Sequence, residues 1–256
     1  MTRATILTGA GPARSAAMAR LAARATPPSE GELEAVIECL GDASKLVQRR
    51  AAETLAALSS RGVAVEARLN AALAAGALRA RWSAVFALSL IGPLPLSVVP
   101  TLIEVIGDGD GDLRWAAADL LKQIAAKHRP AVVGALIAAA STSGPGRKMA
   151  LYCLRDLAVA EALTVAERGL DDAEIDVRLA ALAALAALDS DRGRCAERIA
   201  RLIDDPDPRL QRAAAGTLGG LSVVSAVVVE ALTRAEQSED ASLRRAAVQS
   251  KRRLGL

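Results

Sequence analysis

A nine-residue motif of apolar and polar positions returns along the chain at nearly constant intervals. It reads Val47-Gln-Arg-Arg-Ala-Ala-Glu-Thr-Leu55, then Ala80-Arg-Trp-Ser-Ala-Val-Phe-Ala-Leu88, then Leu113-Arg-Trp-Ala-Ala-Ala-Asp-Leu-Leu121. Copies begin at Ala13, Val47, Ala80, Leu113, Gly146, Val177, Leu210 and Leu243, in steps of 34, 33, 33, 33, 31, 33 and 33 residues. The fifth position is Ala in all eight copies, and the ninth is Leu in seven, with Lys251 in the last. Positions one, five and nine fall on one face of a helix of 3.6 residues per turn, which makes them the buried stripe. Upstream of each motif lies a second apolar segment, with Val36, Leu69, Leu102, Ala135, Ala166, Ile199 and Leu232 at its matching position. Turn residues separate the two, as in Gly41-Asp42, Asp171-Asp172 and Asp204-Asp-Pro-Asp-Pro208.

A fixed period of this length is the signature of stacked helix-pair repeats. The pattern therefore predicts an all-α fold, an α-solenoid of about seven to eight helix-pair repeats of about 33 residues, as one domain over residues 1–256. Residues 1–12 read as an N-terminal arm, 13–28 as a half-repeat and 29–256 as seven repeats. Lys251 marks the last of these as a C-terminal cap, because no neighbour follows to cover its stripe. The turn Ser141-Thr-Ser-Gly-Pro-Gly146 and the short 31-residue step after it predict a local irregularity.

The run Asp172-Ala-Glu-Ile-Asp-Val-Arg-Leu-Ala-Ala181 resembles the HEAT-like repeats of the phycobilisome-lyase type, and the resemblance extends from Ala13 to the C-terminus. It implies a right-handed solenoid whose second helices line a concave groove. It also bears on the basic ladder at the second motif position: Arg14, Gln48, Arg81, Arg114, Arg147, Arg178, Gln211 and Arg244. Asp42, Asp108, Asp172 and Asp205 stand six residues before four of these, and in such repeats Asp and Arg pair along the stack. The ladder is therefore read as structural rather than as a nucleic-acid contact.

Composition sharpens the picture. Hydrophobic residues make up 52% of the chain but aromatics only 2%, so the core must be built of Ala, Leu, Val and Ile, good or adequate helix formers. Three scattered cysteines, Cys39, Cys153 and Cys195, argue against a disulfide framework and for a reducing compartment. Neither a secretory leader nor an apolar run long enough for a membrane span is visible, so the expected location is cytoplasmic, with no membrane partner. One histidine, His128, in an inter-repeat turn beside Arg129-Pro130, supplies neither a catalytic triad nor a metal site. No metal and no cofactor are expected. Ala4-Thr-Ile-Leu-Thr-Gly-Ala-Gly11 resembles the start of a dinucleotide fingerprint, but the third glycine is missing and the repeat has already claimed Ala13 onward.

Candidate chemistry lies on the opposite face of the motif helix. Down the third and seventh positions run all four aromatics, Trp82, Phe86, Trp115 and Tyr152, in three adjacent repeats. Arg49, Lys148 and Arg212 share the third column, Glu53 and Asp119 the seventh, and Lys122 and Arg155 the tenth. The predicted ligand-binding groove comprises Arg49, Trp82, Phe86, Trp115, Asp119, Lys122, Lys148, Tyr152, Arg155 and Arg212, able to stack and to charge-pair a ligand. Aromatics at helical spacing also serve as core spacers, the competing reading for each of them.

The leading functional expectation is a non-enzymatic scaffold that binds a partner protein, a peptide or an extended anionic ligand, with nucleic acid left open as a partner. An enzyme is the alternative. HEAT-like alkylpurine DNA glycosylases of the AlkD-like kind use a groove Trp, an Asp one turn later and basic residues on the next repeat. Trp115, Asp119 and Lys148 match by type, which would make Asp119 catalytic; Tyr152 departs from that pattern, and a net charge of +3 is low for a duplex binder. A bilin lyase-like role is a second alternative, implied by the repeat type alone.

Overall fold

The computed structural model describes residues 3–256, and no strand occurs among them. The described part of Met1–Val105 with Ala126–His128 forms one compact unit, and Ile106–Ala125 with Arg129–Leu256 forms a second. The first holds α1 (Arg3–Leu7), α2 (Gly11–Ala23), α3 (Glu30–Glu38), α4 (Lys45–Ser59), α5 (Glu66–Ala75), α6 (Leu78–Ile91) and α7 (Val99–Val105). The long α8 (Gly111–Ser141) follows, kinked at His128 (φ −129°, ψ 42°) two residues before Pro130. Pro130 lacks an amide hydrogen and its ring clashes with the preceding turn, a sufficient cause for the kink. The second unit continues with α9 (Arg147–Asp156), α10 (Leu163–Gly169), α11 (Ile175–Leu188), α12 (Arg192–Arg201), α13 (Pro208–Leu221), α14 (Ala226–Glu236) and α15 (Ala241–Leu254). None of these helices is long and apolar enough to cross a membrane.

Within each unit the helices stack as the motif period demands. In the first, α2 packs on α4 and α4 on α6; in the second, α9, α11, α13 and α15 follow one another, while α10, α12 and α14 pair with the motif helices that come after them. The fold is a HEAT-like α-solenoid. The fifth-position alanines Ala17, Ala51, Ala84, Ala117, Ala150, Ala181, Ala214 and Ala247 are all fully buried, and the ninth-position leucines Leu21, Leu55, Leu88, Leu121, Leu154, Leu185 and Leu218 are buried with them. Each such Leu contributes about 1.5–3 kcal/mol through burial.

Two details differ from the expectation. Residues 3–7, read as part of an arm, fold as α1, with Ile6 fully buried and the helix packed on α2 and α3. In effect the half-repeat acquires a short first helix. In α8 the buried residues after the kink are Val132 and Leu136, while Ala135 is only half-buried. The kink resets the helix phase, shifting the apolar stripe by one residue. Lys251, at the Leu position of the last motif, is not bare: its Nζ lies 2.6 Å from Glu236 Oε2.

The turns between paired helices carry a repeating polar device. Asp Oδ1 accepts the backbone N–H two residues on, as in Asp42 to Ser44, Asp108 to Asp110, Asp172 to Glu174 and Asp205 to Asp207 (2.8–2.9 Å). The ladder residue six positions later donates to the same aspartate's carbonyl, as Arg114 to Asp108 (2.7 Å), Arg178 to Asp172 (2.9 Å) and Gln211 to Asp205 (2.7 Å). The carboxylate also meets the ladder arginine of the preceding repeat: Arg14 with Asp42 (2.6 Å), Arg147 with Asp172 (2.5 Å) and Arg178 with Asp205 (3.3 Å). These pairs are largely withdrawn from water, so the ladder is structural.

Among the described residues six helix starts, those of α3, α8, α12, α13, α14 and α15, carry a side-chain cap. Ser29 and Glu32 form a capping box at α3, and Glu32 also receives both terminal nitrogens of Arg24, at 2.9 and 2.8 Å. The guanidinium, outweighing the cost of burial, holds the Glu32 carboxyl down at about 2. A depressed folded-state value means that its stabilisation is fully present above the ordinary carboxylate range, near pH 4.5, and is lost as pH falls towards about 2. Glu32→Gln is expected to lower stability at pH 7 and to flatten the decline between pH 4.5 and 2, checked by urea unfolding at several pH values.

Glycines mark the closest approaches between helices. A Cβ added at Gly219 would sit 2.7 Å from the Cα of Ser250, whose Oγ donates to the Ala215 carbonyl. At Gly220 the same atom would meet nothing within 4 Å. Gly219→Ala should therefore destabilise by about 1–3 kcal/mol through overpacking. Gly220→Ala should instead stabilise by about 0.5–1 kcal/mol through helix propensity. Paired thermal unfolding of the two variants reads the difference in sign.

A candidate recognition face on the second unit

Motif positions three, seven and ten turn away from the Ala-Leu stripe and present their side chains on the other face of each second helix. In the second unit this brings together Trp115, Asp119 and Lys122 from the first part of α8 with Lys148, Tyr152 and Arg155 from α9. The Trp115 and Tyr152 rings stack in parallel, with centroids 6.3 Å apart and planes 10° from parallel. The Arg155 guanidinium stands 5.0 Å from the Tyr152 ring centre, within cation–π range. Trp115 remains 50% exposed although it is the largest side chain of the group.

Lys122, Lys148, Arg155 and Arg212 each have a carboxylate partner. Lys122 Nζ lies 2.9 Å from Asp119 and 3.4 Å from Asp156, and the Asp119 hydrogen bond, with help from Asp156, raises the lysine's pKa. Arg155 pairs with Asp156 at 2.7 Å. Lys148 meets Asp176 at 2.7 Å and thereby lowers the aspartate's pKa, while Arg209 approaches the same carboxylate at 3.8 Å. Further along, Arg212 holds Asp240 at 2.8 Å. The face is thus a charge-balanced network around an aromatic pair. Beneath it Cys153 is buried, and that burial pushes its thiol up to about 12, so it stays protonated and inert.

The remaining predicted site residues lie in the first unit. Arg49 pairs with Glu53 at 2.9 Å on the exposed surface of α4. Phe86 is half-buried. Trp82, expected on an open face, is only 9% exposed and belongs to the packing of its own unit, the spacer role. Phe86 follows it one turn later on the same helix face, where Trp115 is followed by charged Asp119. The carboxylates Asp156 and Asp176 were absent from the predicted site. Their signal was present: an acid stands 34 residues after Lys122 and 28 after Lys148, about one repeat on. Among the described residues, no cluster of three His, Cys, Asp or Glu could hold a metal ion.

No protein-family model matches the chain, and no curated protein matches it either. Solved structures do. A complex of Kap95p with RanGDP aligns over 98% of this chain and 39% of its own, at 12% identity and a TM-score of 0.62. A Kap121p mutant aligns over 98% of this chain and 33% of its own, at 13% identity and a TM-score of 0.65. Both are karyopherin HEAT-repeat proteins, and the likeness shows the α-solenoid fold. The chain spans between a third and two fifths of their length. The likeness to the complex of CpcE and CpcF of phycocyanin lyase from Nostoc sp. PCC7120 is loose, with a TM-score of 0.36 at 21% identity over 91% of this chain and 96% of that one.

An exposed stack and a core spacer respond differently to truncation. Trp115→Ala is expected to cost less than about 1.5 kcal/mol of folding stability, against the 3–5 kcal/mol typical of a core aromatic. Chemical denaturation of the variant measures this directly.

Proposed function

We propose that this protein is a non-enzymatic interaction module, and that the second unit holds a polypeptide segment of a partner against the Trp115–Tyr152 stack. The observation that carries this reading is the half-exposed tryptophan, braced by a parallel ring inside a charge-balanced rim. Exposed aromatic surface of this kind is costly to leave in water and characteristic of binding hot spots. The salt bridges around it suit a rim that fixes register more than it adds affinity. Of the two karyopherin structures, the Kap95p complex holds a protein partner, RanGDP, which fits a scaffold role. The first-unit residues Arg49, Trp82 and Phe86 are not needed for this reading.

The pairing of the cations also weighs against the glycosylase-like alternative. A nucleic-acid strand neutralised by Lys122, Lys148, Arg155 and Arg212 would first have to displace Asp119, Asp156, Asp176 and Asp240 from them. Asp119, the carboxylate that would act as a base, is engaged with Lys122.

The test is selection of random 12-residue peptides on the full chain, followed by titration of the best binder. Trp115→Ala should weaken that binder by about 2 kcal/mol or more, roughly 30-fold, as truncation of a hot-spot aromatic does. A 20-base-pair DNA duplex should bind only in the non-specific range of about 10⁻⁴ to 10⁻⁶ M at physiological salt. Sub-micromolar duplex binding that falls steeply with salt and disappears in Lys148→Glu would overturn the proposal.

A further inference from the structure

The C-terminal helix differs electrostatically from the rest of the chain. α15 carries Arg244, Arg245, Lys251, Arg252 and Arg253 and no acid. Five of the 32 cations thus sit on 14 residues, which leaves 27 cations against 29 acids elsewhere, a net of −2. The positive character of the protein is located on this one helix.

Part of this has a structural cause. Lys251 is engaged with Glu236, and Arg244 donates to the carbonyls of Ser238 and Glu239, closing the last turn of the ladder. Cations in the final turn, Arg252 and Arg253 among them, favour the helix dipole. Arg245 has neither reason: it lies near the N-terminal end of the helix, where the dipole is unfavourable to a cation, and its guanidinium reaches only the Ser242 hydroxyl at 3.1 Å. Arg252 lies seven residues, about two turns, further along the same face. Between them is Val248, half-buried, in an open depression of about 660 Å³ lined also by Ala241, Arg244 and Glu236. Arg245 and Arg252 hold motif positions three and ten, the same columns as Trp115 with Lys122 and Lys148 with Arg155. There Lys122 and Lys148 meet carboxylates one repeat on, Asp156 and Asp176, and Arg155 meets Asp156 of its own helix; among the described residues Arg245 and Arg252 pair with no carboxylate.

We infer that the α15 face is a second docking site, one that takes an acidic polypeptide segment with an apolar side chain among its carboxylates. Guanidinium groups at Arg245 and Arg252 pair carboxylates bidentately. Val248 and Ala241 supply a shallow apolar seat between them, for which a nucleic-acid backbone has no complement. No aromatic is present on α15 to stack a base. The inference stands on different residues from the aromatic stack, so either can fail alone.

The experiment titrates fluorescein-labelled 12-residue peptides into the full chain by anisotropy: one of alternating Glu and Leu, one of alternating Lys and Leu, and a 12-nucleotide single strand of DNA as the competing class. The Glu-Leu peptide is expected to bind, to weaken at least tenfold between 50 and 300 mM salt, and to bind at least tenfold more weakly to Arg245→Glu/Arg252→Glu. Arg168→Glu/Arg201→Glu, which removes the same charge from exposed positions on other helices of this unit, should stay within threefold of the parent. Trp115→Ala should do likewise, which separates this site from the aromatic one. Absence of Glu-Leu binding, equal loss in both charge-reversed variants, or tighter binding of the DNA strand that depends on Arg245 and Arg252 would each overturn the inference. Both reversals are at exposed side chains, and circular dichroism of the variants verifies that helicity is retained.

Discussion

The fifth-position alanine is the constraint on which the remaining architecture depends. It occurs in every copy of the motif and has no exposed surface in any of them. A methyl group at that point lets neighbouring helices approach closely, and Gly169 of α10 against Ala181 and Gly219 against Ser250 show how little room remains. Because the crossings admit only small residues, the core is filled by Leu, Val and Ile around an Ala spine, and large rings are kept away from the crossing positions. Each helix pair then buries too little surface to stand alone and draws its stability from the next, as in other repeat stacks.

The polar turns solve the problem that this close stacking creates. A tightly packed turn has carbonyl and amide groups that water reaches poorly, and each needs a partner. One Asp serves three of them at once: its carboxylate fixes its own turn, its carbonyl takes the side chain six residues on, and a second contact ties the preceding repeat. Ladder chemistry follows the availability of that acid at some positions and not at Arg114, where Ser141 stands 27 residues on. Arg14, Arg147 and Arg178 face an Asp about one repeat later, whereas 27 residues after Gln48 and Gln211 stand Ala75 and Ser238, and there the uncharged amide suffices. Arg81 makes its ion pair with Glu104 of the intervening first helix. Neutralisation within the stack explains why a column of arginines need not attract a polyanion.

Most of the fold was legible because period and burial are the same fact seen twice. What escaped the reading was local. The five residues of α1 are too few to show a helical period, and the stripe shift from Ala135 to Leu136 depends on a kink whose effect on phase cannot be counted from spacing. The candidate face was half legible. Motif position gives the direction in which Trp115 and Tyr152 point, and they stack as that direction requires. Position does not say what stands alongside, and so Trp82, in the same column as Trp115, is buried. Nor does a column viewed on one helix include the acids of the next, and Asp156 and Asp176 enter only when repeats are laid against each other.

Those acids change the physical meaning of the face. Read as a column, Lys122, Lys148, Arg155 and Arg212 form a basic track; read with their partners, they form an electrically quiet frame. In such a frame the long-range field is small, and selectivity rests on what touches the rings at close range. On α15 the same columns carry Arg245 and Arg252, which pair with no carboxylate among the described residues, so positions that are electrically silent on α8 and α9 are charged there. One repeating motif therefore yields two kinds of surface, and the difference between them arises from whether carboxylates stand within reach of its cations.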